Sequence, residues 1–372
     1  MLVDKIDLLD FRNIEKASLE FSRSFNVITG RNAQGKTNLL EALHLFSLGR
    51  SFRTRSSAEL IRFEAARFFA GVSGRSDRGV RFRLEVSQDR AGTARVRANG
   101  RKIGSIGEII GFMPSVIFTP ADIELAAGPP AARRTYIDYT AAQISPDFLS
   151  ALKDYRKTLR QRNAMLRDVS AGIPVDEAQL GAWTEALARS GGAVVRGRTG
   201  LLRTVSEKAS AMFAGTAGGE EFSMEYAGSC GIDADDPESG IMEALRRNRE
   251  TERRRGFTAA GPHCDDITIR MGGRRLRKYG SQGRMRLAAI VMKLVQAAVI
   301  MERRGERPVV LLDDIFSELD RTVADHVGRL LSEGYQSFIT SPREDELPLG
   351  SMDARLFRVK DGDFEQAGAA GG

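Results

Sequence analysis

One stretch constrains this chain more than any other: Gly30-Arg31-Asn32-Ala33-Gln34-Gly35-Lys36-Thr37. It meets the P-loop pattern G-x-x-x-x-G-K-[ST] at every specified position. Phe25 to Thr29 before it reads as a short buried strand. Asn38 to Phe46 after it reads as a helix with Leu39, Leu40, Leu43 and Phe46 on one face and Gly49 as its stop. Gly30 and Gly35 let the backbone bend so that its N–H groups point at phosphate oxygens, and the positive helix end adds to the attraction. Gly30, Arg31, Asn32, Ala33, Gln34, Gly35, Lys36, Thr37 and Asn38 are therefore the candidate ATP contacts. Lys36 suits the β- and γ-phosphates, and the Thr37 hydroxyl suits Mg²⁺. The competing explanation is a chance glycine loop, which the flanking strand and helix disfavour.

The 372 residues allow two domains. The net charge of +7 makes a nucleic-acid partner worth considering, although a general Arg bias gives the same figure. Cys230 and Cys264 form no C-x-x-C pair, so neither a disulfide framework nor a zinc site is implied, and a cytoplasmic setting is expected. Asp4, Asp7 and Asp10 interrupt any signal-peptide pattern. The longest apolar run, Leu287 to Met301, carries Lys293 and reads as a buried helix, so no membrane partner is expected.

Strands are expected at Leu2 to Leu9, Ala17 to Phe21, Phe69 to Gly74, Val80 to Val86 and Arg95 to Arg101, the last entering an Asn99-Gly100 turn. They predict an antiparallel sheet beside the P-loop core. Pro114 to Pro120 brackets one more strand. From residue 126 the apolar spacing becomes helical, through Phe148, Leu152, Tyr155, Leu159, Leu180, Leu187, Leu201 and Val205. A polar stretch from Ala214 to Gly240 follows. Ile241 to Arg255 predicts a helix whose interleaved Arg and Glu form a solvated, salt-bridged face. Strands are expected at Phe257 to Ala259 and Ile267 to Arg270, and a disordered tail after Phe364. The expected division is a head half over 1–125, a helical arm over 126–255 and a second head half over 256–372.

Pro308 to Asp314 is an apolar strand delivering two acids. Beside a P-loop, Asp313 is the candidate Mg²⁺ ligand, and Asp314 with Lys36 the candidate catalytic pair, Asp314 acting as base or water-orienting group. Gly280-Ser281-Gln282-Gly283-Arg284 opens the buried helix, where Ser281 and Gly283 make a second anion-binding helix end; an ordinary Ser cap is the plainer alternative. This segment precedes the acids as the signature motif does in ATP-binding-cassette (ABC) ATPases, and Ser317-Glu318-Leu319-Asp320 follows them as the D-loop does. In that class the signature caps the ATP held by a second subunit.

The motifs together resemble the RecF family of bacterial recombination-mediator ATPases, related to SMC and Rad50 heads. They are Phe11-Arg12-Asn13, the P-loop through Ala42, Arg50 to Arg53, Gly128-Pro129-Pro130 with Arg133 to Asp138, Gly261-Pro262-His263 with Asp265-Asp266, Tyr279 to Gly283, and Leu311 to Asp320. The resemblance implies an α/β fold, a P-loop ABC-type ATPase head with a mixed sheet, an antiparallel β subdomain and an inserted helical lobe. It also implies a weak, DNA-stimulated ATPase that dimerises on ATP and binds single-strand/double-strand junctions of gapped DNA. RecR and RecO would be its partners in loading RecA, with a role in the SOS response.

Arg12 is a candidate nucleotide contact, Arg50 and Arg53 are candidates to face DNA or nucleotide, and Arg133 and Arg134 are candidates for a DNA face; a solvated surface arginine is the plainer alternative for Arg12, Arg50 and Arg53. Thr340 is a candidate γ-phosphate sensor, while His263 is as readily a packed turn histidine. The sequence departs from the usual pattern at Arg284, where Gln is common, at Asp314, where transporter ATPases carry Glu, and at Cys264, where a basic residue is usual. The alternative is a transporter-like nucleotide-binding subunit that does not act on DNA. A Rad50-type tether would need a long heptad coiled coil and a C-x-x-C hook, which the chain lacks.

Overall fold

The computed structural model describes residues 1–54, 56–214, 220–229, 235–316, 328, 334–342 and 354–370. The D-loop-like segment Ser317 to Asp320 and Cys230 lie outside them. The chain divides into two compact units, Met1–Asp122 with Lys293–Gly372, and Ile123–Met292.

The first unit holds two six-stranded sheets. One is antiparallel and runs β2 (Ile14–Glu20), β1 (Leu2–Phe11), β4 (Arg67–Arg75), β5 (Arg81–Asp89), β6 (Ala94–Ala98), β7 (Arg101–Ile103). The other runs β15 (Asp363–Ala370), β14 (Ala354–Lys360), β3 (Phe25–Thr29), β13 (Ser337–Ser341), β12 (Val309–Leu312), β8 (Ser115–Phe118). In this second sheet only the β14–β15 pair is antiparallel. Its strands β3, β13 and β12, and β8 at the edge, are buried at every position, which is why they read as largely apolar runs.

Helix α1 (Lys36–Leu48) packs against β1 and β4 of one sheet and β8 and β13 of the other. Being covered on both sides, it buries Leu39 through Leu48 without a break. The single apolar face expected from the sequence is thus too narrow. Gly49 ends the helix in the left-handed conformation, φ 66°, as expected. Edge-to-face ring pairs Phe11–Phe68 and Phe21–Phe338 fill the core of this unit.

The second unit is larger than a 126–255 arm. It contains α2 (Glu124–Ala127), α3 (Pro130–Ile144), α4 (Pro146–Ser170), α5 (Glu177–Ala214) and α6 (Pro237–Arg255). To these it adds β9 (Phe222–Ala227), β10 (Asp266–Met271), β11 (Arg274–Arg275) and the short helix α7 (Leu276–Tyr279), and α8 (Gln282–Arg304) starts within it. At 38 residues, α5 spans roughly 57 Å at 1.5 Å per residue. It passes through Gly191-Gly192 unbroken, and glycine stands at 191 because a Cβ there would meet Ile241 at 2.9 Å and Tyr155 at 3.2 Å. Here glycine serves close approach and does not terminate the helix.

Four expectations need correction. Residues 214–240 contain β9, whose Phe222 stacks on Phe213 of α5. Phe257 to Ala259 is not a strand: Asn163 Oδ1 accepts from Thr258 N and Glu252 Oε1 accepts from Ala259 N, so side chains replace a ladder. The segment after Phe364 pairs with β14 through Ala370. On α6, Arg249 and Arg253 do pair with Glu177 at the surface, but Glu252 is fully buried.

Glu252 receives Arg162 Nη2 at 2.6 Å while Arg162 also donates to Thr184 and Thr258. Removing one partner of a buried pair leaves the other charge without compensation. Arg162→Ala is therefore expected to destabilise the second unit by about 3–5 kcal/mol, read as a lowered urea midpoint.

Candidate nucleotide site

The P-loop runs from the end of β3 to the start of α1. Gly30 has φ 152°, and a Cβ there would stand 2.4 Å from the Val359 carbonyl oxygen. Gly35 takes φ 121°, with Asn13 Oδ1 at 2.9 Å from its missing Cβ. Positive φ favours glycine at both positions, and at Gly30 close approach of backbone excludes any Cβ as well. Ala33 is left-handed as well, φ 67°. Arg31, Asn32 and Ala33 are exposed at the loop apex. The Lys36 ammonium is buried and donates to the Gly30 and Arg31 carbonyls at 2.6 and 3.3 Å.

Asp313 and Asp314 arrive at the end of β12, as expected of a parallel strand. Thr37 Oγ1 donates to Asp313 Oδ1 at 2.8 Å, and Thr340 Oγ1 donates to the same oxygen at 3.0 Å. Thr340 also accepts from Asp314 N at 2.9 Å. Buried at the end of β13, this hydroxyl holds the Asp313 carboxylate and the Asp314 backbone amide. Asp314 is left-handed, φ 48°, and its carboxylate lies 4.0 Å from Lys36 Nζ. One acid is thus buried beside Thr37, and the other, about one-third exposed, faces the lysine.

Burial holds the Asp313 carboxyl above its ordinary range, and the Thr37 and Thr340 hydroxyls oppose that shift. Thr37 and Asp313 present two converging oxygens. That small set fits Mg²⁺, which keeps waters and substrate phosphates in its remaining positions.

The residues around the loop are organised by Glu41, fully buried in α1. Arg12 donates to it through Nε at 2.8 Å and Nη2 at 2.6 Å, Ser51 donates its hydroxyl, and Arg53 Nη1 lies at 3.7 Å. Arg12 also donates to the Glu59 carbonyl at 2.9 Å. Its fork is therefore engaged by protein groups beside the loop. Asn13 Nδ2 donates to the Gln34 carbonyl at 3.0 Å and Asn13 Oδ1 accepts from Asn38 Nδ2 at 2.7 Å, while Arg53 Nη1 donates to Asn38 Oδ1 at 2.7 Å. Glu41 and Asn13 were present in the sequence only as members of longer motifs. An acid at a helix position with apolar neighbours, Leu40 and Ala42, was the available signal.

In the second unit Ser281, Gln282, Gly283 and Arg284 are all exposed at the start of α8. Ser281 Oγ accepts from Arg284 N at a long 3.4 Å, a weak cap, and Arg284 pairs with Glu220. Arg133 is not a DNA-face residue: it is buried, forms a two-pronged pair with Asp266 and donates to the Gly128 carbonyl. Arg134 donates to the Asp265 carbonyl. His263 is a packed turn histidine, bonded to Tyr155 Oη and the Thr258 carbonyl, and burial lowers its pKa. Arg50 is exposed at the end of α1.

A P-loop on a mostly parallel sheet, an acid pair two strands away in the same sheet, and an antiparallel β subdomain define the head of an ABC-type ATPase. Residues 2–364 match the RecF/RecN/SMC N-terminal domain family. The DNA replication and repair protein RecF of Bacillus subtilis is 32% identical, over 97% of this chain and 99% of its own. The protein of that name from Caldanaerobacter subterraneus is 36% identical over 91% and 94%. The solved structure of the recombination mediator protein RecF with ATP, of the RecFOR pathway, superposes with a TM-score of 0.90 at 32% identity, covering 99% of this chain and 98% of that one. An Smc head from Pyrococcus furiosus shares the fold, with a TM-score of 0.56 at 17% identity. The chain belongs to the RecF family of DNA replication and repair proteins. Among the described residues no helix is long and apolar enough to cross a membrane. Nothing at the site favours the transporter-like alternative.

A carboxyl whose folded pKa is raised contributes stability below the unfolded value, about 3.9, and loses it as pH rises through the raised value. Ionised Asp313 is thus a cost to the metal-free protein at neutral pH. Asp313→Asn is expected to melt above wild type without Mg²⁺ at pH 7.5, with the gap narrowing as pH falls toward 4. With Mg²⁺ and ATP the order reverses, since only the wild type gains from the metal.

Proposed function

We propose that this protein is an ATP-dependent DNA-binding ATPase that closes as a homodimer on ATP. The observation that carries the reading is the Thr37–Asp313 hydrogen bond, which unites the P-loop with the strand-borne acid at one point. The ATP-bound structure of a full-length relative supports the choice of nucleotide.

In this reading the backbone N–H groups of residues 31–38 and the Lys36 ammonium hold the triphosphate. Thr37 and Asp313 hold Mg²⁺, which would neutralise charge developing on the β- and γ-phosphates. Asp314, half-buried and near Lys36, orients or deprotonates the attacking water. Its short arm suits slow turnover, and DNA stimulates it by stabilising the closed pair. Ser281 and Gly283 of each copy cap the triphosphate held by the other. ATP then favours closure through contacts made only in the dimer, and hydrolysis removes them.

The DNA substrate is the single-strand/double-strand junction of a gap. RecR and RecO are the partners through which RecA is loaded, and the SOS response is the setting. The relatives named for DNA replication and repair, and for the RecFOR pathway, support this assignment.

Light scattering with Mg²⁺ and ATP is expected to double the mass of the wild type, with no change for Lys36→Ala or Ser281→Arg; a wild type that stays single removes the proposal. Asp314→Asn is expected to lose hydrolysis by at least a hundredfold while retaining dimer and gapped DNA, measured as phosphate release beside sedimentation. Normal turnover by that variant removes Asp314 from the role.

A further inference from the structure

The P-loop is gripped from outside its own strand and helix, by two hairpin turns that also touch each other. The first is the β1–β2 turn, whose Asn13 donates to the Gln34 carbonyl, bonds Asn38 and stands against Gly35. The second is the β14–β15 turn, Asp361-Gly362, more than three hundred residues away in sequence. Asp361 N donates to Gln34 Oε1 at 2.6 Å, and Gly362 N donates to the Gln34 backbone carbonyl at 2.9 Å. Val359, just before that turn, presents its carbonyl oxygen against Gly30. A Cβ on Gly362 would lie 2.3 Å from the Asn13 carbonyl oxygen, so the two turns are in backbone contact.

We propose that the Asp361-Gly362 turn is a positioning element for nucleotide binding. It fixes Gln34, and through Gln34 the loop that must aim its N–H groups at phosphate. This rests on the P-loop being the ATP site. Gln34 is the focus because three donors converge on it: Asn13 Nδ2 and Gly362 N on its carbonyl, and Asp361 N on its side chain. With that carbonyl pinned outward, the following peptide, whose N–H belongs to Gly35, is held in one orientation. The left-handed conformation of both turn residues, φ 52° at Asp361 and 90° at Gly362, is what lets this hairpin approach so closely.

The molecule contains its own control. The β6–β7 turn, Asn99-Gly100, is left-handed at the same two positions, φ 51° and 79°, but a Cβ at Gly100 meets nothing within 4 Å. Gly100→Ala and Gly362→Ala therefore incur the same kind of backbone strain, and only the second presses on Asn13 and the P-loop.

The test is calorimetric titration of the full chain with ATP and Mg²⁺, beside amide hydrogen exchange without nucleotide. Gly362→Ala is expected to weaken ATP binding at least tenfold and to lower Tm further than Gly100→Ala, which changes affinity less than twofold. Equal affinities for the two variants overturn the proposal. Should Gly362→Ala fail to fold, Gln34 carries the test. Gln34→Ala is expected to speed exchange in residues 31–37 severalfold, and Gln34→Glu, which keeps an acceptor for Asp361 N, to restore protection. Unchanged exchange in Gln34→Ala overturns the proposal as well. A wild type that does not bind ATP at all would instead remove the nucleotide reading on which both variants depend.

Discussion

A single hydrogen bond, from the Thr37 hydroxyl to the Asp313 carboxylate, ties together groups 276 residues apart. It requires β3 and β12 to lie in one sheet with β13 between them, because only parallel strands deliver their ends to the same edge. Thr340, at the end of that intervening strand, completes the arrangement by donating to Asp313 and accepting from Asp314 N. Strand order, register and site geometry are therefore one constraint seen at three scales.

Buried carboxylates recur as organising points, each with donors enough to offset the loss of water. Glu41 collects Arg12 and Ser51 beside the P-loop. Glu252 collects Arg162 and the Ala259 amide. Asp138 receives Arg198 through two nitrogens, while the same arginine donates to the Pro262 carbonyl. Asp313 differs, since its donors are two neutral hydroxyls and its pKa stays raised. A buried acid left short of positive charge is a place where a cation adds stability, and that separates the site from the structural acids around it.

The helical lobe shows how far pattern reading reaches. Phe148, Leu152, Tyr155 and Leu166 fall on the buried face of α4 as their spacing required. Apolar periodicity reports which side of a helix avoids water, so it survives without knowledge of partners. It fails where a strand is held by a neighbouring ring, as β9 is by Phe213. Arg133 illustrates the same limit for charge: nothing local distinguishes an arginine bound to Asp266 from one facing solvent.

The sequence by itself determined the P-loop, the acid-bearing strand and the serine at the start of α8, because each is a contiguous run whose chemistry is local. It determined equally the alternating strands and the Asn99-Gly100 turn. Only the tertiary structure decided what those pieces touch: that Arg12 is occupied by Glu41, that Thr340 joins the Asp313 carboxylate to the Asp314 backbone amide, and that a turn near residue 361 holds Gln34. Backbone carbonyls and amides make many of these contacts, and they are the same in every residue, so no residue type announces them. Their placement comes from strand order and close packing, which exist only once distant segments have met.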